Sequence, residues 1–489
     1  MSENNDGREK PERTGAQPDA AQPDADAPSQ AAAPQQPEAH TEAEPDGRGP
    51  EDSGRARRAA QAPAVPDTSP RPHPVDDGPT SSQARWATFR HEMLTGSWLL
   101  TLLAIVAALV ISSVLIAVAD ADVRASAGYF FARPADLLSA AWSSIAGTYV
   151  ALFRGSVFDY TVLTGGGVAE LGRAISPLTK TMVEATPLIL AALGIGIGFR
   201  SGLFNIGAQG QVLMGAATAS LVGFTFVPPG TGPFSSLLHL VLALGAAVLV
   251  GGLWAGIAGI LKARTGANEV IVTIMLNWIA TYLVAYLLTT AVYRVQANRP
   301  IAPHVAETAE LPSLLGSWSP LHWGFPLALL AALGVWWLME RSTIGFQFRA
   351  VGANMHAART AGISVNRVFV MVMVTAGMLA GAGGAMQILG VEGTFRASSA
   401  GTIGFDAITV ALLGRNRSGG IVAAAMLFGA LRAGAALMQT VADTPVDIIL
   451  VIQAVIVLFI AAPPLVRTLF RLPDPQRTRV AARAKEATR

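Results

Sequence analysis

The chain has 489 residues, 51% of them hydrophobic and 14% charged, with a formal net charge of +2 and no cysteine. The missing cysteines exclude disulfides, thiolate metal sites and Cys nucleophiles. The apolar bias is that of a membrane protein, and the charge is uneven, since about half of all Asp and Glu precede residue 91.

Residues 1–90 are rich in Pro, Ala, Gln, Asp and Glu and almost free of aromatics. Such a segment cannot bury enough apolar surface to offset chain entropy, so a disordered cytoplasmic tail is expected. It holds no apolar core of the kind a cleaved leader needs. Residues 91–466 read as a transmembrane domain and 467–489 as a basic cytoplasmic tail.

A helix crosses a bilayer with about 20 apolar residues. The qualifying stretches are 98–119, 182–199, 203–225, 235–262, 270–292, 323–340, 368–389, 401–414, 419–439 and 446–464. The third is interrupted and the eighth is short. Residues 135–153 mix Ser, Thr, Trp and Tyr with apolar residues. They read as an interfacial helix on the outer surface, with an eleventh crossing as the other reading. Basic residues orient the chain: Arg200, Lys262, Arg264, Arg341, Arg349, Arg359, Arg367, Arg415 and Arg417 fall on one side, as does the C-terminal tail. The positive-inside rule makes that side cytoplasmic and puts both termini inside.

The expected fold class is therefore all-α, a polytopic membrane protein of about ten transmembrane helices. Ten crossings divide as five plus five, and an odd number per half inverts the second half, as in inverted-repeat transporters. The halves correspond in kind. "GLFNIGAQGQ" opens the third stretch and "GTIGFDAITVALLG" the eighth, while glycine-rich runs mark the second and seventh. Interrupted segments at matching positions point to a translocation pathway. Unpaired amides are costly in hydrocarbon, so Asn205, Gln209, Gln211, Asn277 and Gln387 are the candidate pathway residues. They either line it or satisfy backbone groups freed by a broken helix. Gly377–Gly381 and Gly252–Gly256 read as close helix packing.

Catalytic chemistry is missing. No Ser–His–acid set occurs, and the seven His show no ligand spacing. The chain has only four Lys and no GxxxxGK[ST], so it has no P-loop of its own and is not read as an enzyme. No cofactor or metal is expected on it. A pump of this kind draws on an ion gradient or a separate ATPase. Ion-coupled carriers place carboxylates at membrane depth. Here only Asp406 and Arg432 read as intramembrane, opposite in sign and expected to pair; an ion-coupled carrier using Asp406 is the second reading. The ATPase reading needs a docking surface between stretches six and seven. There Asn354 can cap a short helix that ends at Gly362, with Gly352 allowing the chain to turn. Ala357, Ala358 and Ala361 would form its small-residue face, with Arg359 on the polar side.

"GIGFRSGLFNIGAQGQVLMGA", "NEVIVTIMLNWIATYL", "GFQFRAVGANMHAARTAGI", "GFDAITVALLG" and "LFGALRAGA" occur in order between residues 95 and 465. In these stretches the sequence resembles the ABC-importer permeases of the nucleoside type, relatives of the ribose and branched-chain amino-acid permeases. The resemblance implies a bacterial plasma-membrane permease without its own ATPase site. Its partners would be a second related permease, an ATPase with two nucleotide-binding domains that uses the ATP, and an extracytoplasmic substrate-binding lipoprotein, all working in a lipid bilayer and without nucleic acid. Nucleosides are the implied solutes and simple sugars the alternative. The loop matching Gly345–Ile363 includes the coupling helix in such importers. The family commonly has Glu where Gln209 stands, Pro where Met355 stands and Pro in place of Ser418.

Overall fold

The computed structural model describes residues 97–470, except 164–166, 231, 294–298, 317, 442–445, 462–464 and 466–467. The two tails read from composition lie outside the described residues, apart from the first few of the C-terminal one. The described chain is mostly helical. Helix α1 (Ser97–Ala119) bends by 75° at Asp120 into α2 (Ala121–Ala127). The Asp120 carboxylate accepts from the backbone N–H groups of Asp122 and Val123, which makes that bend a helix start. Helices α3 (Pro134–Ser156), α4 (Val168–Arg200), α5 (Ala208–Thr225), α6 (Pro233–Thr265) and α7 (Glu269–Leu287) follow.

Strand β1 (Ile301–His304) comes next and later pairs antiparallel with β2 (Thr394–Arg396). Helix α8 (Gly324–Arg341) bends by 69° into α9 (Thr343–Ala353), and α10 (Met355–Thr360) is a short turn of helix. Helix α11 (Val365–Gln387) runs into a π-turn at Ile388–Glu392. Helices α12 (Ile403–Leu413), α13 (Ser418–Val441) and α14 (Val446–Ala461) complete the described chain.

Each of the ten apolar stretches coincides with a helix, but the lengths differ from the expectation. Five helices (α4, α6, α7, α11 and α13) are long and apolar enough to cross a membrane, and up to seven are if each bent pair counts as one. Helix α12 has 11 residues, a rise of about 17 Å, well short of a bilayer core. Helix α4 starts 14 residues before the expected 182, because Glu170, Arg173 and Lys180 dilute the apolar signal of its first half. Helix α3 packs on its neighbours through its C-terminal half, while Leu138 and Trp142 in its first half are exposed. Tyr149 donates to the Leu109 carbonyl at 2.8 Å, Thr181 donates to the Ser156 carbonyl at 2.7 Å, and Gly155 abuts Gly434.

Helices α4 and α11 form the buried centre. Helix α11 packs on α6 through glycine: a side chain at Gly377 would strike the Gly251 carbonyl, and one at Gly381 the Ala247 carbonyl. The expected Gly252–Gly256 pair faces the side chains of Met378 and Val374 instead, so Gly251 supplies the closest backbone approach. On its other sides α11 meets α4 where Gly383 abuts Pro187, and α5 where Gly384 abuts Val212. A smaller core joins α1, α3, α13 and α14 through Ala108, Ala151, Leu431, Met438 and Phe459.

Candidate functional site

The break between α4 and α5 is built from amides. Gly202 at φ +72° turns the chain out of α4, and α5 has no cap from its own N-cap residue, Gly207. Asn205 and Gln211, both buried, donate to each other's carbonyl oxygens at 3.0 Å. Asn205 Oδ1 also accepts from the Gly207 N–H. From α7, Asn277 Oδ1 accepts from the Gly210 N–H at 2.8 Å, and its Nδ2 donates to the Ile206 carbonyl at 2.9 Å. One side chain thus satisfies an orphan donor of the helix start and a carbonyl of the turn.

Gln209 does the same for α12. Its Oε1 accepts from the Gly404 N–H at 2.8 Å and its Nε2 donates to the Gly401 carbonyl at 2.7 Å. Gly404 carries no side chain because the α5 backbone at Gln209 occupies that space. The starts of the two interrupted helices therefore abut and are held by one amide. Asn205, Gln211 and Asn277 are consumed in satisfying backbone and one another, whereas Gln209 and Gln387 stay partly exposed. Phe204, beside them, is 55% exposed.

Beside this junction lies a cluster of charged and polar groups. Arg432 Nη2 meets Asp406 Oδ2 at 2.5 Å, as the opposite signs led us to expect. Thr402 donates to the same carboxylate at 2.9 Å, and Arg432 reaches Thr402 at 3.2 Å. Asp406 sits in the first turn of α12, where the helix dipole favours a negative charge. Glu392 accepts from Gln387 at 3.0 Å and from Ser399 at 2.5 Å. Glu184 is about midway along α4 and within electrostatic reach of Arg432 and Glu392.

The other candidate region is at the basic end of the bundle. Arg200 at the end of α4 meets Glu340 of α8 at 2.7 Å, and Arg349 of α9 meets Glu340 at 3.1 Å. Gly352 abuts the backbone of Arg200 and Ser201. Asn354 caps α10 by accepting from His356 and Ala357 N–H groups at 2.9 and 3.1 Å. Gly362 closes the helix at φ +81°, and its N–H donates to the Arg359 carbonyl.

The expected three-alanine docking face is not one face. Ala358 is 4% exposed and packs into the main core, whereas Ala357, Arg359 and Ala361 are exposed. A six-residue helix lying on the bundle must give one of its adjacent positions to the core, and Ala358 is that position. Exposed apolar groups nearby are Phe346, 59% exposed, and Met355, 48% exposed.

Residues 178–461 match the family model described as the permease component of the branched-chain amino acid transport system. The chain belongs to this family. The guanosine ABC transporter permease protein NupP of Bacillus subtilis (strain 168) is 40% identical over 296 residues, 59% of this chain and 82% of that one. The glucose ABC transporter permease protein TsgB13 of Haloferax volcanii is 35% identical over 292 residues, covering 58% and 75% of the two chains. The nucleoside ABC transporter permease protein NupB of Lactococcus lactis subsp. cremoris (strain MG1363) is 34% identical over 330 residues, 66% and 87% of the two chains. No solved structure matches the chain.

In this permease, the sequence pointed to partners for the amides, to the contact between Asp406 and Arg432 and to the Asn354 cap of α10, and those contacts are present. It missed Glu392. The signal for Glu392 was its place one turn past Gln387, on a helix that continues as a π-turn.

Proposed function

We propose that this chain is the membrane-spanning subunit of an ATP-driven importer of nucleosides, working by alternating access. The observation that carries this reading is the 40% identity to a guanosine permease, over a matched family region that holds the α5–α12 junction, Asp406, Arg432 and the α9–α10 segment. The chain acts as about ten crossings in an inverted five-plus-five repeat, with α4–α5 and α11–α12 as corresponding interrupted pairs. Its basic end faces the cytoplasm of a bacterium, both termini lie on that side, and residues 1–90 form a disordered tail. ATP is used by a separate ATPase with two nucleotide-binding domains. The exposed Ala357, Arg359 and Ala361, with Gly352, Asn354 and Gly362 setting the turn, form the coupling contact. A second related permease and a substrate-binding lipoprotein complete the importer.

The glucose permease among the relatives favours a simple sugar as the second reading. An ion-coupled carrier using Asp406 has less support, because that carboxylate is held by Arg432 and Thr402. Co-expression with an ATPase and second permease, followed by co-purification and an ATPase assay, tests the reading. Stimulation by guanosine supports it; a chain that purifies alone and transports with an ion gradient overturns it.

A further inference from the structure

Three helices bring polar groups to one level of the bundle. Gly429 of α13 packs on the α4 backbone at Thr181 and Ala185, which bracket Glu184, and Arg432 follows Gly429 by one helical turn. Gly383 of α11 packs on Pro187, and Gln387 follows Gly383 by one turn. The π-turn adds Glu392 and α12 adds Asp406. Most of these groups are matched: Arg432 with Asp406 and Thr402, and Glu392 with Gln387 and Ser399. Glu184 differs. It forms no hydrogen bond or ion pair with the described residues, although it is only partly exposed and sits in the interior of a membrane-length helix. A carboxylate left without a partner inside a membrane protein is expensive unless it faces a polar pathway or a ligand, and it then marks function.

We propose that Glu184 contacts the solute in transit and sets specificity, accepting hydrogen bonds from vicinal hydroxyls of a neutral polyhydroxy solute such as a ribonucleoside. The assignment rests on the importer reading above. An ionised carboxylate is acceptor-only, with two oxygens, and matches two adjacent O–H donors. Arg432 lies within electrostatic reach, so Glu184 has compensating charge nearby, while the guanidinium's close contacts go to Asp406 and Thr402. Arg432 is paired with Asp406, and Glu184 has a second carboxyl group, Glu392, within electrostatic reach, an arrangement that disfavours anionic solutes such as nucleotides.

The test uses the complete importer in cells, with its binding protein unchanged, and compares uptake of guanosine and 2′,3′-dideoxyguanosine. Because the binding protein is constant, a change in their ratio between permease variants reports on the permease. Glu184→Gln keeps the shape but exchanges one acceptor for a donor. It is expected to lower the guanosine-to-dideoxyguanosine uptake ratio about tenfold, at equal amounts of assembled complex, by slowing guanosine alone. Glu184→Asp should lower it less. An unchanged ratio in Glu184→Gln overturns the assignment. If Glu184→Gln fails to assemble, Glu184→Asp decides: a lowered ratio supports the assignment and a wild-type ratio overturns it. If the wild type imports no nucleoside, the nucleoside reading fails, and the same comparison with glucose and 2-deoxyglucose still tests Glu184. Uptake of neither class overturns both.

Discussion

Neutralising the Asp406–Arg432 pair yields a graded outcome that depends on its neighbours. The two side chains are 19% and 22% exposed and approach to 2.5 Å. With charge centres about 4 Å apart and an effective dielectric of about 20, their attraction is about 4 kcal/mol. Removing one partner of a buried pair costs about 3–5 kcal/mol, because the other charge is stranded. The two single changes are not equivalent. Asp406→Asn leaves Arg432 with Thr402 at 3.2 Å and Glu184 within electrostatic reach, so its cost should be about 1–2 kcal/mol. Arg432→Gln removes the one guanidinium of the cluster, strands Asp406 and leaves Glu184 beside Glu392 without its compensating charge, so the full cost of about 3–5 kcal/mol applies. The double change removes one charge of each sign and should fall near the milder single. The assay is the yield and thermal unfolding of detergent-solubilised permease for all four proteins, with uptake measured in parallel. Damage of equal size in both singles and the double would refute the reasoning, since an unpaired charge would then not be the cost.

Three further outcomes follow from other contacts. Ala358→Trp should collapse permease yield, because the site is buried, whereas Ala357→Trp or Ala361→Trp should leave the permease folded and reduce co-purified ATPase at least several-fold. Normal uptake in both exposed variants would move the coupling contact elsewhere. Gln209→Leu strands the Gly404 N–H and Gly401 carbonyl and should destabilise by about 2 kcal/mol, read as a lower unfolding temperature; no shift would mean the staple contributes nothing. Burial pushes the His322 imidazole down from 6.5 to about 4, and its Nδ1 accepts from the Gly324 N–H. The unfolded segment binds a proton more readily, so the stability from the neutral ring is full above about 6.5 and is lost as pH falls toward about 4, by about 2 kcal/mol at pH 5. His322→Gln should flatten that dependence in hydrogen exchange of the 311–323 segment; an identical pH profile in the variant would count against it.

The fold was legible where hydropathy and packing act together. Gly377 and Gly381 announced a close crossing because nothing else explains two glycines at that spacing in an apolar helix, and α6 does approach there. Legibility failed where a helix is set by its neighbours. The first half of α4 carries Glu170, Arg173 and Lys180, so no apolar window includes it, yet it forms one continuous helix with the apolar half. Helix α9 was hidden for a related reason. "TIGFQFRAVGA" reads as a basic loop, but Ser342 caps it by accepting from the Gly345 N–H, and Gly345 lets it fold back against the Leu338 carbonyl.

The amides show the same limit from the chemical side. Their presence among apolar runs told us that partners exist, because unpaired amides in hydrocarbon are costly, but not which groups those partners are. Asn205 finds Gln211 six residues on, while Gln209 finds Gly401 and Gly404 nearly two hundred residues on. Only the second kind of partner joins the two halves of the chain, and no local rule could name it. The residue type at 209 then acquires a reason. A glutamate, common there in the family this chain resembles, could accept from the Gly404 N–H but would set a second acceptor against the Gly401 carbonyl. The glutamine Nε2 turns that repulsion into a donated bond. This chain therefore closes the contact between its two interrupted helices without placing a charge in it.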